Sequence, residues 1–190
     1  MLMYLPLRVM CEIYYKELRF RGHILNYDSL MQSSFSTLID AFDRRLVPRG
    51  ETITVVESCT GGALASALTG MSGSSQWFRL GLVTYADQFK TELLGVSQKS
   101  LESEGAVSRT VVQEMVKGAI KLARADYGIA ISGIAGPGGG TKEKPVGMVW
   151  FGFGYNEHVE AVRMQFSGDR NAVRVQSVEF SLRKMLQLME

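Results

Sequence analysis

The sequence predicts an α/β protein, a three-layer α/β/α sandwich with a mixed, mostly parallel five-stranded sheet. Three observations carry that expectation. Apolar, β-branched runs alternate along the chain with segments whose apolar residues recur at helical spacing. A late pair of runs, "VGMVWFGFGY" and "VEAVRMQF", is joined by the short polar "NEH", which marks one antiparallel hairpin. The length of 190 residues and a hydrophobic content of 46% suffice for one sizeable core.

The elements follow in order. Residues 1–33 read as an N-terminal extension, because Pro6 and scattered aromatics break any period, and the domain proper is expected over 34–190. A first helix is expected behind Ser33 or Ser34, with Phe35, Leu38, Ile39, Phe42 and Leu46 at helical spacing. A strand at 52–56 leads into a helix from about 61 to 70, and "RLGLVTY" reads as the next strand. "DQFKTELL" and "SQKSLESE" read as short helices. Ser108 then caps a long amphipathic helix carrying Val111, Val112, Met115, Val116, Ile120 and Leu122. "YGIAISGIA" is a near-continuous apolar run, as expected for a strand covered on both faces. The loop "GPGGGTKEKP" leads to the hairpin, and a final helix spans about 170 to 188.

Composition narrows the function classes. The formal net charge is +2, from 21 basic and 19 acidic residues, with no basic block, so no nucleic-acid partner is expected. Cys11 and Cys59 form neither a CxxC motif nor a disulfide framework, which points to a reducing compartment. No apolar run reaches the length of a membrane span, and Arg8 and Glu12 interrupt the apolar start, which is unlike a signal peptide. These readings together predict a cytoplasmic protein without a membrane partner.

The stretch "TVVESCTGG", residues 54–62, places Ser58, Cys59 and Thr60 between a β-branched run and Gly61–Gly62. Two readings are open: a helix cap, or a side chain that attacks a substrate. The chain has two histidines, His23 in the extension and His158 in the hairpin turn, so a Ser–His–Asp triad is disfavoured. With no HExxH and no spaced Cys/His set, neither a metal nor another cofactor is expected. The glycine-rich loop fails the GxxxxGK[ST] spacing, and it fails GxGxxG because position 141 is threonine. A lysine remains as a base for a serine, and Lys90, one turn into the helix after Tyr85, is the candidate. Ser58, Tyr85, Ser132 and Gly133 all fall at or just after strand ends, where open α/β sheets bind ligands.

Five blocks, "ESCTGG", "GSSQWFRLGLVTYADQFKTELLGV", "EGAVS", "ARADYGIAISGIAGPGGGTKEKPVGMVWFGF" and "FSGDRNAVR", together resemble the CinA C-terminal domain family, in order from about residue 36 to the end. Stand-alone members of that family include nicotinamide-nucleotide amidases. The resemblance implies hydrolysis of the carboxamide of nicotinamide mononucleotide to nicotinate mononucleotide and ammonia, without a metal. It assigns Ser58 as nucleophile, Lys90 as general base and Tyr85 as a relay or orienting group, with Ser132 lining the site and Arg170 completing it. Backbone amides from Cys59 through Thr60 and Gly61 to Gly62 are expected to hold the oxyanion. The substrate phosphate is expected at the Gly136–Gly140 loop or at Arg170, against the plainer readings of a turn and of a surface pair with Asp169. Gly133 and Gly136 join the expected binding residues. Glu57 either orients the lysine or caps the helix. A homodimer is suggested by the resemblance alone. The rival class is a non-catalytic nucleotide-binding interaction module of the same family.

Overall fold

The computed structural model describes residues 27–155 and 157–190, with side chains described from Phe35 onward. The expected extension, with Pro6, Cys11 and His23, lies outside the described residues up to position 26. The first described helix, α1, runs Tyr27–Leu46 and so begins before Ser33. No glycine or proline interrupts that stretch, and serine, although favoured at caps, is tolerated inside a helix. Phe35, Ile39, Phe42 and Leu46 form the buried stripe. Phe42 stacks on Trp77 at 6.1 Å, and the Trp77 indole N–H donates to Asp43 at 3.0 Å.

The chain then alternates through β1 (Ile53–Glu57), α2 (Ala63–Thr69), β2 (Phe78–Val83), α3 (Asp87–Leu94), α4 (Gln98–Glu104) and α5 (Arg109–Ala123). It continues with β3 (Tyr127–Gly133), β4 (Met148–Tyr155), β5 (His158–Gln165) and α6 (Arg170–Leu188). The helix expected from about 61 starts two residues later, because Gly61 (φ 59°) and Gly62 (φ 92°) make a left-handed turn first. Ser108 caps α5 as expected, its hydroxyl accepting the Val111 N–H. Leu122 is the exception on that helix, half exposed, because it lies two residues past Ile120 and therefore on the opposite side. His158 opens β5 instead of sitting in the hairpin turn.

The sheet order is β2-β1-β3-β4-β5. β1 pairs parallel with β2 and with β3, while β4 pairs antiparallel with β3 and with β5. Four strands thus point one way and β4 points back. Every residue of β1 is buried, and all of β3 but its last, as the apolar runs require.

One face of the sheet is covered by α5 with α3, the other by α2 and α6. Between α5 and the sheet lie Val56, Leu94, Val96, Val111, Val112, Met115, Val116, Ala119 and Ala130. Gly152 lets the helix approach, since a Cβ there would stand 2.3 Å from the Val112 carbonyl oxygen. On the other face Phe180 of α6 packs against Phe151 at 4.7 Å.

This topology places the site. The chain leaves β1 toward α2 on one face and leaves β2 toward α3 on the other, so the adjacent strand ends open a crevice. β3 ends at the same edge, and β5 delivers the N-terminus of α6 there.

Candidate active site

The crevice is a cleft of about 280 Å³. Ser58, Cys59, Tyr85, Lys90, Ser132, Gly133, Gly136 and Arg170 all line it, which brings together residues from the ends of β1, β2 and β3 and the start of α6. Thr60, Gly61 and Gly62 do not line it: Thr60 is fully buried, and the two glycines complete the turn into α2. A larger cavity of about 570 Å³ lies at the opposite end of the sheet, against Tyr127, Tyr155 and His158, and contains none of these residues.

Ser58 is half-buried, and its amide donates to the Ile131 carbonyl at 2.9 Å, which ties the serine to β3. Glu57, just before it, is fully buried. Its carboxylate accepts from the amides of Gly62 (3.0 Å), Leu64 (3.2 Å) and Ala65 (2.8 Å). Glu57 is therefore the cap of α2, where the helix dipole and the unpaired N–H groups favour an anion. This corrects the expected oxyanion donors. Gly62 N–H is taken by Glu57 and Gly61 N–H by the Ser58 carbonyl at 3.1 Å. Among the described residues, the amides of Cys59 and Thr60 are the ones on this turn that no other residue engages.

Cys59 is buried, and burial is the main reason its thiol is pushed up to about 12, with the Glu57 charge adding to the rise. Its own amide and the charges of Arg170 and Arg174 pull the other way. A thiol held protonated in this way is a poor nucleophile at neutral pH.

Lys90 is fully buried, where a surface helix lysine would be exposed. Its ammonium donates to the Thr84 carbonyl (2.9 Å), the Tyr85 carbonyl (3.4 Å) and Asp87 Oδ1 (3.0 Å). A neutral amine carries two hydrogens and cannot serve all three, so accepting a proton requires Lys90 to release one contact. Asp87, itself on the cleft, was missed by the sequence reading. Its position three residues before Lys90 on one helix was the available signal.

Ser132 is buried and donates to the Ala106 carbonyl at 2.7 Å, so its hydroxyl proton holds the loop before α5 against β3. Tyr85 is 62% exposed. Arg170 donates to the Tyr85 hydroxyl at 3.3 Å and to the Gly136 carbonyl at 2.9 Å. The expected alternative, a pair with Asp169, does not form, because Asp169 caps α6 by accepting the Ala172 N–H at 2.8 Å. Two of the five guanidinium N–H donors of Arg170 are thus engaged with protein.

Arg174, one turn further along α6, was also missed. It donates through both Nε (3.1 Å) and a terminal nitrogen (2.9 Å) to the Thr60 carbonyl. Among the described residues no group of three or more His, Cys, Asp or Glu side chains is placed to hold a metal ion, and no helix is long and apolar enough to cross a membrane.

The chain matches the CinA C-terminal domain over residues 36–189. It is 54% identical over 142 residues to the nicotinamide-nucleotide amidohydrolase PncC of Enterobacter agglomerans, covering 74% of this chain and 87% of that protein. It is 46% identical over 159 residues to the Escherichia coli K12 protein of the same name, covering 83% and 96%. A CinA superfamily crystal structure from Escherichia coli superposes with a TM-score of 0.78 at 40% identity, covering 87% of this chain and 94% of that one. The competence/damage inducible protein CihA of Agrobacterium tumefaciens superposes with a TM-score of 0.79 at 34% identity, covering 88% and 99%. The matched span runs from the buried stripe of α1 to the end of α6 and takes in every residue on the cleft: this chain belongs to the CinA C-terminal domain family.

Proposed function

We propose that this protein hydrolyses the carboxamide of nicotinamide mononucleotide, giving nicotinate mononucleotide and ammonia, with Ser58 as the nucleophile. The observation that carries the reading is the meeting of Ser58, fully buried Lys90 and Arg170 on one cleft. Two relatives at 46% and 54% identity bear the name of that activity.

Ser58 Oγ attacks the carboxamide carbon as its proton passes to Lys90 in the amine form. The oxyanion that forms lies against the Cys59 and Thr60 amides. Its collapse breaks the C–N bond, Lys90 returns the proton to the departing nitrogen, and ammonia leaves an ester on Ser58. Water attacks that ester and gives a proton to Lys90, which restores the Ser58 hydroxyl as the carboxylate leaves. Tyr85 orients Arg170 from one side, and its own hydroxyl proton remains to donate into the cleft. The deciding measurement is ammonia release from nicotinamide mononucleotide. A protein that binds the mononucleotide and releases nothing is an interaction module instead.

Arg170 is assigned to the phosphate. Three of its donors remain for a bidentate anion contact, at a helix start where the dipole adds to the attraction. Such a charge-assisted contact is worth about 1.5–3 kcal/mol, so Arg170→Ala is expected to cost roughly ten- to a hundredfold in kcat/KM for the mononucleotide. Nicotinamide riboside, which lacks the phosphate, is expected to be a poor substrate that the substitution hardly changes. Equal losses on both substrates would place Arg170 at the amide end or in folding.

The segment before Met31, which includes the first four residues of α1, is assigned no part in this chemistry. A chain starting at Met31 keeps Phe35, Ile39, Phe42 and Leu46, the buried stripe of the helix. It is expected to melt and turn over as the full chain does, and a large fall in either would give the segment a structural role.

A further inference from the structure

We propose that Arg174 is a positioning residue for the nucleophile, acting through the Thr60 carbonyl to hold the turn that carries Ser58 and the oxyanion amides. The inference rests on the reading of Ser58 as nucleophile. Its basis is a contact between residues 114 apart in sequence: two guanidinium nitrogens, at 3.1 and 2.9 Å, on one backbone oxygen of a fully buried residue.

The turn needs an external hold. Gly61 and Gly62 both have positive φ and no side chain, so between Ser58 and Thr60 the local hold is a single backbone bond, Gly61 N–H to the Ser58 carbonyl at 3.1 Å. Glu57 grips only the far side of the turn, at Gly62, Leu64 and Ala65. The Thr60 carbonyl otherwise receives one long bond, from Ala63 N–H at 3.3 Å. Arg174 therefore supplies the strong restraint at the centre of the turn, at the residue that follows Cys59 and whose amide the proposed mechanism assigns, with that of Cys59, to the oxyanion.

Its charge acts in the same direction. Arg170 and Arg174 both stabilise negative charge at Cys59, the residue after the nucleophile. An oxyanion forming there feels the same field. Arg174 does not line the cleft, whereas Arg170 does. The two arginines, one helical turn apart, thus divide the work: Arg170 meets the ligand, and Arg174 holds the machinery.

The division is tested by a KM-against-kcat split. Arg174→Gln removes the charge and the fork, and is expected to lower kcat by roughly ten- to a hundredfold, the loss of a hydrogen bond from a charged group, with KM little changed. The loss falls equally on the mononucleotide and the riboside, unlike that of Arg170→Ala. Arg174→Lys, which keeps the charge and one donor, is expected to recover part of kcat. Labelling of Ser58 by a fluorophosphonate, which needs neither nicotinamide nor phosphate, is expected to slow by a similar factor. Unchanged kcat and labelling in Arg174→Gln would overturn the proposal, as would a loss confined to KM. If Arg174→Gln melts at too low a temperature to assay, Arg174→Lys decides by the same criteria. Slowed labelling in a protein that never releases ammonia would sink the substrate assignment and leave this one standing. A native Ser58 that neither labels nor turns over would sink both.

Discussion

Ser58→Ala is expected to lower turnover of nicotinamide mononucleotide by ~10³-fold or more, while Cys59→Ala retains most of it. The contest is a real one, since a thiolate is intrinsically the stronger nucleophile and the two residues are adjacent. Burial decides it. The Cys59 thiol is pushed up to about 12. At neutral pH its thiolate fraction is therefore below ~1 in 10⁴. Ser58 is half-buried, and it lines the same cleft as Lys90. The same raised value has a consequence for stability. The unfolded thiol ionises near 9.0 and the folded one near 12, so the folded state holds its proton more tightly. The contribution of Cys59 is intact below about pH 9 and is lost as the pH rises toward 12. Cys59→Ala should remove that alkaline decline, and thermal melts of both proteins from pH 8 to 11 would measure it. Loss of activity in Cys59→Ala with retention in Ser58→Ala would reverse the mechanism.

Lys90→Met is expected to cost roughly 10²- to 10⁴-fold in kcat, the range of a lost general acid–base. Methionine preserves the unbranched stem in a fully buried position, so the substitution removes the ammonium without opening a large void. It does strand the Thr84 and Tyr85 carbonyls that the ammonium now serves. A melting curve must therefore accompany the kinetics. Chemical rescue separates the two effects: Lys90→Cys alkylated with bromoethylamine restores an amine at nearly the native reach. Recovered turnover in the alkylated protein would identify the amine as the missing group. A Lys90→Met enzyme within a few fold of native kcat would remove the lysine from the reaction.

Much of this molecule is legible without its fold. The apolar runs of β1 and β3, the Ser108 cap and the late hairpin are local patterns, and each element forms within about two residues of its expected place, α1 apart. The strand-end motifs with Ser58, Tyr85 and Ser132 are equally local, because an alternating α/β chain brings successive strand ends to one edge. α1 escapes because "YDSLMQSS" carries no strong period, so the serines read as a start while the backbone continues through them. What pattern alone does not carry is which partner each polar group finds. Glu57 reads equally well as an orienting group or a cap until the turn at Gly61–Gly62 folds three amides onto its carboxylate. Lys90 reads as the candidate base from its place after Tyr85, but which groups hold it is set only when the loop from Thr84 curls its carbonyls around the ammonium. Arg174 and the Thr60 carbonyl are joined only because β5 returns the chain to the edge where β1 ends. Periodicity reports which face of an element is buried, whereas a hydrogen bond across the fold depends on strand order and helix placement, which only the folded chain decides.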